Sequence, residues 1–109
     1  MNFNEYQQKS RETAMYPEVG NNYVYPTLGL VGEAGEIAEK VKKIIRDKDG
    51  VLDEDTKTLL MKELGDVLWY VAQLSSEFGF ELSEVANHNI EKLVSRKERG
   101  VIQGSGDTR

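Results

Sequence analysis

Residues 54–78 read EDTKTLLMKELGDVLWYVAQLSSEF. Within them Leu60, Leu64, Val67, Leu68, Val71, Ala72 and Leu74 recur at helical spacing, which predicts one long helix from Glu54 to Phe78. Leu59, Met61, Trp69 and Tyr70 widen the apolar stripe past a single face. A helix apolar around most of its circumference is buried on more than one side. In a chain of 109 residues such a helix belongs at the centre of a bundle or in a subunit interface. Asp53 or Asp55 suits its N-cap, and Gly79 suits a left-handed C-terminal turn.

The flanking segments follow the same period. Leu30, Ala34, Ile37, Val41 and Ile44 or Ile45 predict a helix that starts near Pro26 and ends near Asp47. Pro26 fits a first turn, where its missing N–H costs nothing. Phe3 to Ala14 reads as a short helix, with Phe3, Tyr6 and Ser10 on one face. Between these two helices, Pro17, Gly20 and Asn21-Asn22 mark a loop rich in tyrosine: Tyr16, Tyr23 and Tyr25. Ser83 to Arg99 forms the last helix, with Val85, Ala86, Ile90, Leu93 and Val94 inward, and Gly100 stops it. No segment alternates like a strand. The expectation is an all-α, four-helix bundle-like protomer, a single domain over residues 1–109 with a tail at 101–109.

Composition narrows the function. Fourteen basic against 19 acidic residues leave a net charge of −5, which argues against a nucleic-acid backbone as partner. A free nucleotide stays open, because a metal can bridge it to carboxylates. The absence of cysteine excludes disulfides, thiolate zinc sites and a cysteine nucleophile. No stretch approaches the roughly 20 apolar residues of a membrane span, and Met1 to Ser10 is too polar for a signal peptide. The expectation is a cytoplasmic protein.

Two motifs carry the chemistry: Glu33-Ala-Gly-Glu36 and Glu63-Leu-Gly-Asp66. Each sets two carboxylates three residues apart, on one helical face. Each holds a glycine, which inside a helix costs about 0.5–1 kcal/mol relative to alanine, so the matched pair predicts close helix approach. If the two helices run antiparallel, four acids converge. Like charges in a half-buried site repel and lose hydration, and a divalent cation removes that penalty. Oxygen ligands, no cysteine and a single histidine select Mg²⁺, or Mn²⁺ as substitute, over zinc. Mg²⁺ often takes its remaining ligands from substrate phosphates. The pattern therefore reaches a metal-dependent enzyme acting on a phosphate ester or anhydride. The plainer alternative is a solvated acidic face on a non-catalytic interaction module. In that reading Glu36 and Lys40 form an ordinary pair four residues apart, and Glu39 is surface charge.

The segment from Tyr25 to Lys43, with Glu63-Leu-Gly-Asp-Val-Leu-Trp-Tyr70, resembles the MazG-type nucleoside triphosphate pyrophosphohydrolases of the all-α NTP pyrophosphatase superfamily. Their pattern is ExxE, a spacer, then ExxD; here the spacer between Glu36 and Glu63 is 26 residues. The resemblance continues through Asn89-Ile-Glu-Lys92-Leu-Val-Ser-Arg96 to Gly104-Ser-Gly-Asp. It implies Glu33, Glu36, Glu63 and Asp66 as metal ligands and catalytic groups. It implies Lys92 and Arg96 as phosphate contacts, where their plainer reading is solvated charge at a helix C-terminus. Asn89 would join them, and Tyr70, one turn beyond Asp66, would touch sugar or base. Tyr23 and Tyr25 either stack on a base or plug the bundle end, Lys40 and Lys43 could steer phosphate, and Trp69 packs in the core. Where some relatives carry an acid just before the first motif, this chain has Gly32, so the general base is left open. The activity implied is hydrolysis of a (deoxy)nucleoside triphosphate to monophosphate and pyrophosphate, as house-cleaning of the nucleotide pool. Phosphoribosyl-ATP is the alternative substrate within the superfamily. Assembly as a homotetramer, a dimer of dimers, is implied as well. On composition alone the tail should fray; the resemblance suggests instead that its glycines offer N–H groups to phosphate.

Overall fold

A computed structural model describes all residues, 1–109. Its four helices are α1 Phe3–Arg11, α2 Val24–Lys48, α3 Glu54–Glu77 and α4 Leu82–Glu98, with no strand. Asn2 caps α1, its side chain accepting from the Glu5 N–H at 2.9 Å. The helix ends three residues before Ala14, where its expected end lay. Of the two candidate caps for α3, Asp53 is the one used, its carboxylate accepting from the Thr56 N–H at 2.7 Å. Asp49 and Gly50 turn the chain out of α2 in left-handed conformation, and Gly79 and Gly100 do the same after α3 and α4.

The helices α2 and α3 form an antiparallel hairpin, and α2 meets no other helix. On its far side α3 carries α1, and α4 folds back against α1 and α3. The centre is polar as well as apolar. Gln73 is fully buried and donates to the Ser10 hydroxyl at 2.8 Å. Arg11 donates to Gln73 at 3.1 Å, to the Tyr16 hydroxyl at 2.7 Å and to Glu77 at 2.6 Å. Gln7 links α1 to the α3–α4 turn, donating to Ser76 and Phe80 and accepting from the Leu82 N–H.

The protomer is not a closed bundle. Only ten residues are buried, and the radius of gyration is 16.7 Å, where a compact domain of this length has about 13 Å. The inward pattern read for α2 is corrected accordingly. Ile44 is buried and Leu30 and Ile37 are half-buried, but Ala34, Val41 and Ile45 are exposed. On α3, Leu59, Met61, Leu64 and Leu68 remain open in the single chain, as do Val85, Ile90 and Val94 on α4.

Candidate metal centre

The antiparallel hairpin brings one helical face of α2 against one of α3. Glu33 on α2 meets Glu63 and Asp66 on α3, with carboxylate oxygens that all lie within 4.8 Å of one another. Glu33 and Glu63 are half-buried and Asp66 is exposed. The fourth predicted acid, Glu36, stands outside this cluster, exposed one turn along α2. Its charge still reaches Glu33. Burial pushes the Glu33 carboxyl above its ordinary range, and Asp66, Glu63 and Glu36 push it the same way.

That arrangement fits a hard divalent cation. Around Mg²⁺ opposed oxygen ligands lie about 4.2 Å apart, twice a bond of about 2.1 Å. Three oxygens spread over no more than 4.8 Å reach that geometry by small side-chain rotations. The donor set is oxygen only, which suits Mg²⁺ or Mn²⁺. Repulsion already felt by Glu33 is what a cation would relieve.

A cation of the chain itself sits at the edge of the cluster. Lys40 lies 3.2 Å from the Glu63 carboxylate, so it pairs across the hairpin and not with Glu36 as its spacing suggested. Lys43 pairs instead with Glu39, at 3.6 Å.

Glycine acts here at a different position from the one the motifs suggested. A Cβ at Gly35 or Gly65 would meet nothing within 4 Å, so neither brings the helices together. Gly29 does: a Cβ there would run into the Tyr70 ring. Tyr70 thus packs closely against α2 just before the acids. Burial raises its hydroxyl pKa, with Tyr25, Glu33 and Asp66 adding to the rise. Around it is an aromatic cluster. Trp69 meets Tyr70 edge-on at 5.0 Å, and Tyr16 stacks on Tyr25 at 5.1 Å. Trp69 is half-buried, and its indole N–H donates to the Thr13 hydroxyl at 2.8 Å. Tyr23 lies elsewhere, edge-on to Phe78; twelve residues of helix put Phe78 about 18 Å along α3 from Asp66.

Two residues at or behind the site had no signal in the sequence. Tyr6 on α1 comes near Asp66; burial and that carboxylate raise its hydroxyl pKa. Glu77 is a buried carboxylate with 1% side-chain exposure. It accepts from Arg11, the Tyr16 hydroxyl and the Gly20 and Asn22 N–H groups. Burial pushes its pKa up, but these donors outweigh burial and hold it at about 2. Glu77 thereby pins the tyrosine loop to the end of α3. Nothing local marks either residue, because both depend on α1 and the loop folding onto α3.

The residues expected to face phosphate are not brought to the acids. Lys92 and Arg96 both bind the tail: the Asp107 carboxylate lies 2.8 Å from Lys92 and 3.1 Å from Arg96. Arg96 is buried and also donates to the Asp107 carbonyl. Asn89 is exposed on the wall of a cleft of about 670 Å³, beside Lys92, His88 and Phe80. The tail itself is ordered against α4, contrary to the fraying its composition predicts.

A family model described as the MazG nucleotide pyrophosphohydrolase domain matches residues 26–101. The chain is 54% identical to the Gene 37 protein of Mycobacterium phage L5 over 114 aligned positions, covering the whole of both chains. No solved structure matches it. No helix is long and apolar enough to cross a membrane.

Proposed function

The chain belongs to the MazG nucleotide pyrophosphohydrolase family, and from that membership we propose that it hydrolyses a nucleoside triphosphate between the α and β phosphorus. The products are a nucleoside monophosphate and pyrophosphate. The observation that carries the reading is the convergence of Glu33, Glu63 and Asp66 across the α2–α3 hairpin. These three carboxylates would hold the ion, Mg²⁺ or Mn²⁺, with Glu36 one turn away on α2 as the fourth acid of the motifs. A divalent ion so held neutralises phosphate charge and lowers the pKa of a bound water. Lys40, paired with Glu63 at 3.2 Å, stands at the edge of the cluster, where its cation would face the phosphates. Tyr70 and Tyr25 present aromatic surface beside the acids for sugar or base. Lys92, Arg96 and Asn89 on α4 lie apart from the acids in the protomer, and Lys92 and Arg96 are held by Asp107. In this reading they reach the phosphates only once the tail is displaced and a second copy of the chain brings its α4 to the acids. The substrate class is a small canonical or modified deoxynucleotide, and the role is house-cleaning of a cytoplasmic nucleotide pool.

The active form in this reading is a homo-oligomer, a dimer of dimers. Val24, Leu28, Val31, Ala38 and Ile45 form a seven-residue seam on α2, turned away from α3. Leu28, Val31 and Ile45 are each 67% exposed. An apolar seam of that kind suits a second copy of the chain, and Met61 and Leu64 on α3 are exposed as well.

The test is Mg²⁺-dependent pyrophosphate release from a panel of dNTPs, NTPs and phosphoribosyl-ATP. Turnover of a dNTP by the wild-type protein, lost in Asp66→Asn and Glu63→Gln variants of unchanged helicity, supports the reading. Turnover of phosphoribosyl-ATP alone would replace the substrate class. No turnover of any member would leave the helical interaction module in its place.

A further inference from the structure

The tail beyond α4 is a built structure. The Arg109 guanidinium donates to three carbonyls of its own tail: Val101 at 3.1 Å, Ile102 at 2.8 Å and Gly106 at 2.7 Å. Arg99 donates to the main-chain oxygen of Arg109 at 2.6 Å. Gly104 and Gly106 take φ of +126° and +87°, conformations that side chains rarely adopt. A Cβ on Gly104 would press the Arg109 side chain at 3.3 Å. The glycines therefore close a loop around Arg109, and that closure presents Asp107 to α4.

Asp107 projects one carboxylate between two cations four residues apart. The same oxygen lies 2.8 Å from Lys92 and 3.1 Å from Arg96. Both donors lower the Asp107 pKa, Lys92 the more strongly, so it is ionised at neutral pH. An oxyanion held at these distances by an ammonium and a guanidinium is the arrangement a phosphate would also adopt. The exposures are unequal. The Asp107 side chain is 80% exposed while that of Arg96 is 6% exposed. The tail thus seals the guanidinium and leaves the competing carboxylate at the surface, where an incoming anion can displace it.

We propose that Asp107 is an internal surrogate for a phosphate group, and that residues 101–109 form a displaceable strap over an oxyanion site made by Lys92 and Arg96. The ligand class is a phosphate or polyphosphate anion. The proposal rests on the reading of Lys92 and Arg96 as phosphate contacts. Binding of the anion exchanges one carboxylate for one phosphate at the same two cations. In the nucleotide-free protein the strap offsets part of the pair's positive charge, and substrate binding and strap release are linked.

The experiment is calorimetric titration of the full-length protein with inorganic pyrophosphate in EDTA, so that neither metal nor turnover is involved. Asp107→Asn should bind about two- to fivefold more tightly than wild type, the scale of a released exposed ion pair. That variant also removes a negative charge, so a second one separates the strap from bulk electrostatics. Arg109→Ala removes a positive charge, which by itself weakens anion binding. If the strap competes with the anion, Arg109→Ala nevertheless binds more tightly than wild type, because Asp107 is no longer held in place. Lys92→Ala should lose binding in either background. Equal or weaker binding by Arg109→Ala overturns the proposal, as does absence of pyrophosphate binding in all variants at millimolar concentration. Tighter binding without turnover of any nucleotide would keep the strap and remove the hydrolase reading.

Discussion

Three carboxylates that repel without a metal make a testable liability of Glu33. Its pKa is raised, so in the metal-free protein folding binds a proton above the ordinary carboxyl range. Stability from this group is therefore present at low pH and lost as pH rises through the folded value. Glu33→Gln should raise the melting temperature in EDTA at neutral pH, while Mn²⁺ binding followed by electron paramagnetic resonance falls at least tenfold. A lower melting temperature in EDTA would show that the cluster is not under charge strain. Glu77 has the opposite sign. Its pKa is depressed to about 2, so its contribution is present above the ordinary value of 4.5 and is lost as pH falls from there toward 2. Linkage sets that contribution at about 3 kcal/mol at neutral pH. Glu77→Gln should lower the urea-unfolding free energy by about this amount at pH 7 and much less at pH 3. Equal losses at both values would deny the charge a role.

At the scale of the element, the hairpin's fit is set by Gly29 and Tyr70. A methyl at Gly29 meets the Tyr70 ring and forces the ring or the helices to shift, an overpacking cost of about 1–3 kcal/mol. Gly32 is one turn further along α2, and a Cβ there meets nothing within 4 Å. Gly32→Ala should therefore gain about 0.5–1 kcal/mol from helix propensity. Thermal melts of Gly29→Ala and Gly32→Ala should move in opposite directions, and a parallel shift would contradict the close approach. The sequence marked Gly35 and Gly65 because they sit between acids. Periodicity locates a glycine on a face; it does not say which turn of the neighbouring helix carries a large ring opposite.

For the whole molecule the decisive quantity is the apolar surface left open. A radius of gyration of 16.7 Å and exposed Leu28, Val31, Ile45, Met61 and Leu64 describe a protomer that buries too little alone. Multi-angle light scattering should give a multiple of the 12.3 kDa chain mass at micromolar concentration. Leu28→Glu with Ile45→Glu should reduce that mass and lower stability, because two charges enter the seam. A wild-type protein running as a stable monomer would refute the assembly.

Much of this architecture was legible along the chain. Four helices, the Asp53 cap among its two candidates, and the Gly79 and Gly100 stops follow from local rules. The spacing also put four acids on two helical faces, of which the hairpin brings Glu33, Glu63 and Asp66 together and leaves Glu36 outside. A cap, a left-handed turn and a three-residue spacing act within one helical turn, and the residues carry them wherever the helix is placed. The packing of α1 on α3, which brings Tyr6 to Asp66 and Arg11 to Glu77, had no such signature. Nor did the tail: its composition reads as a frayed end, yet Arg109 closes it on its own carbonyls and Asp107 seals Arg96. These are contacts between groups distant in sequence or held by several partners at once. Their energies depend on which donors surround a buried charge, and only the tertiary structure decides that.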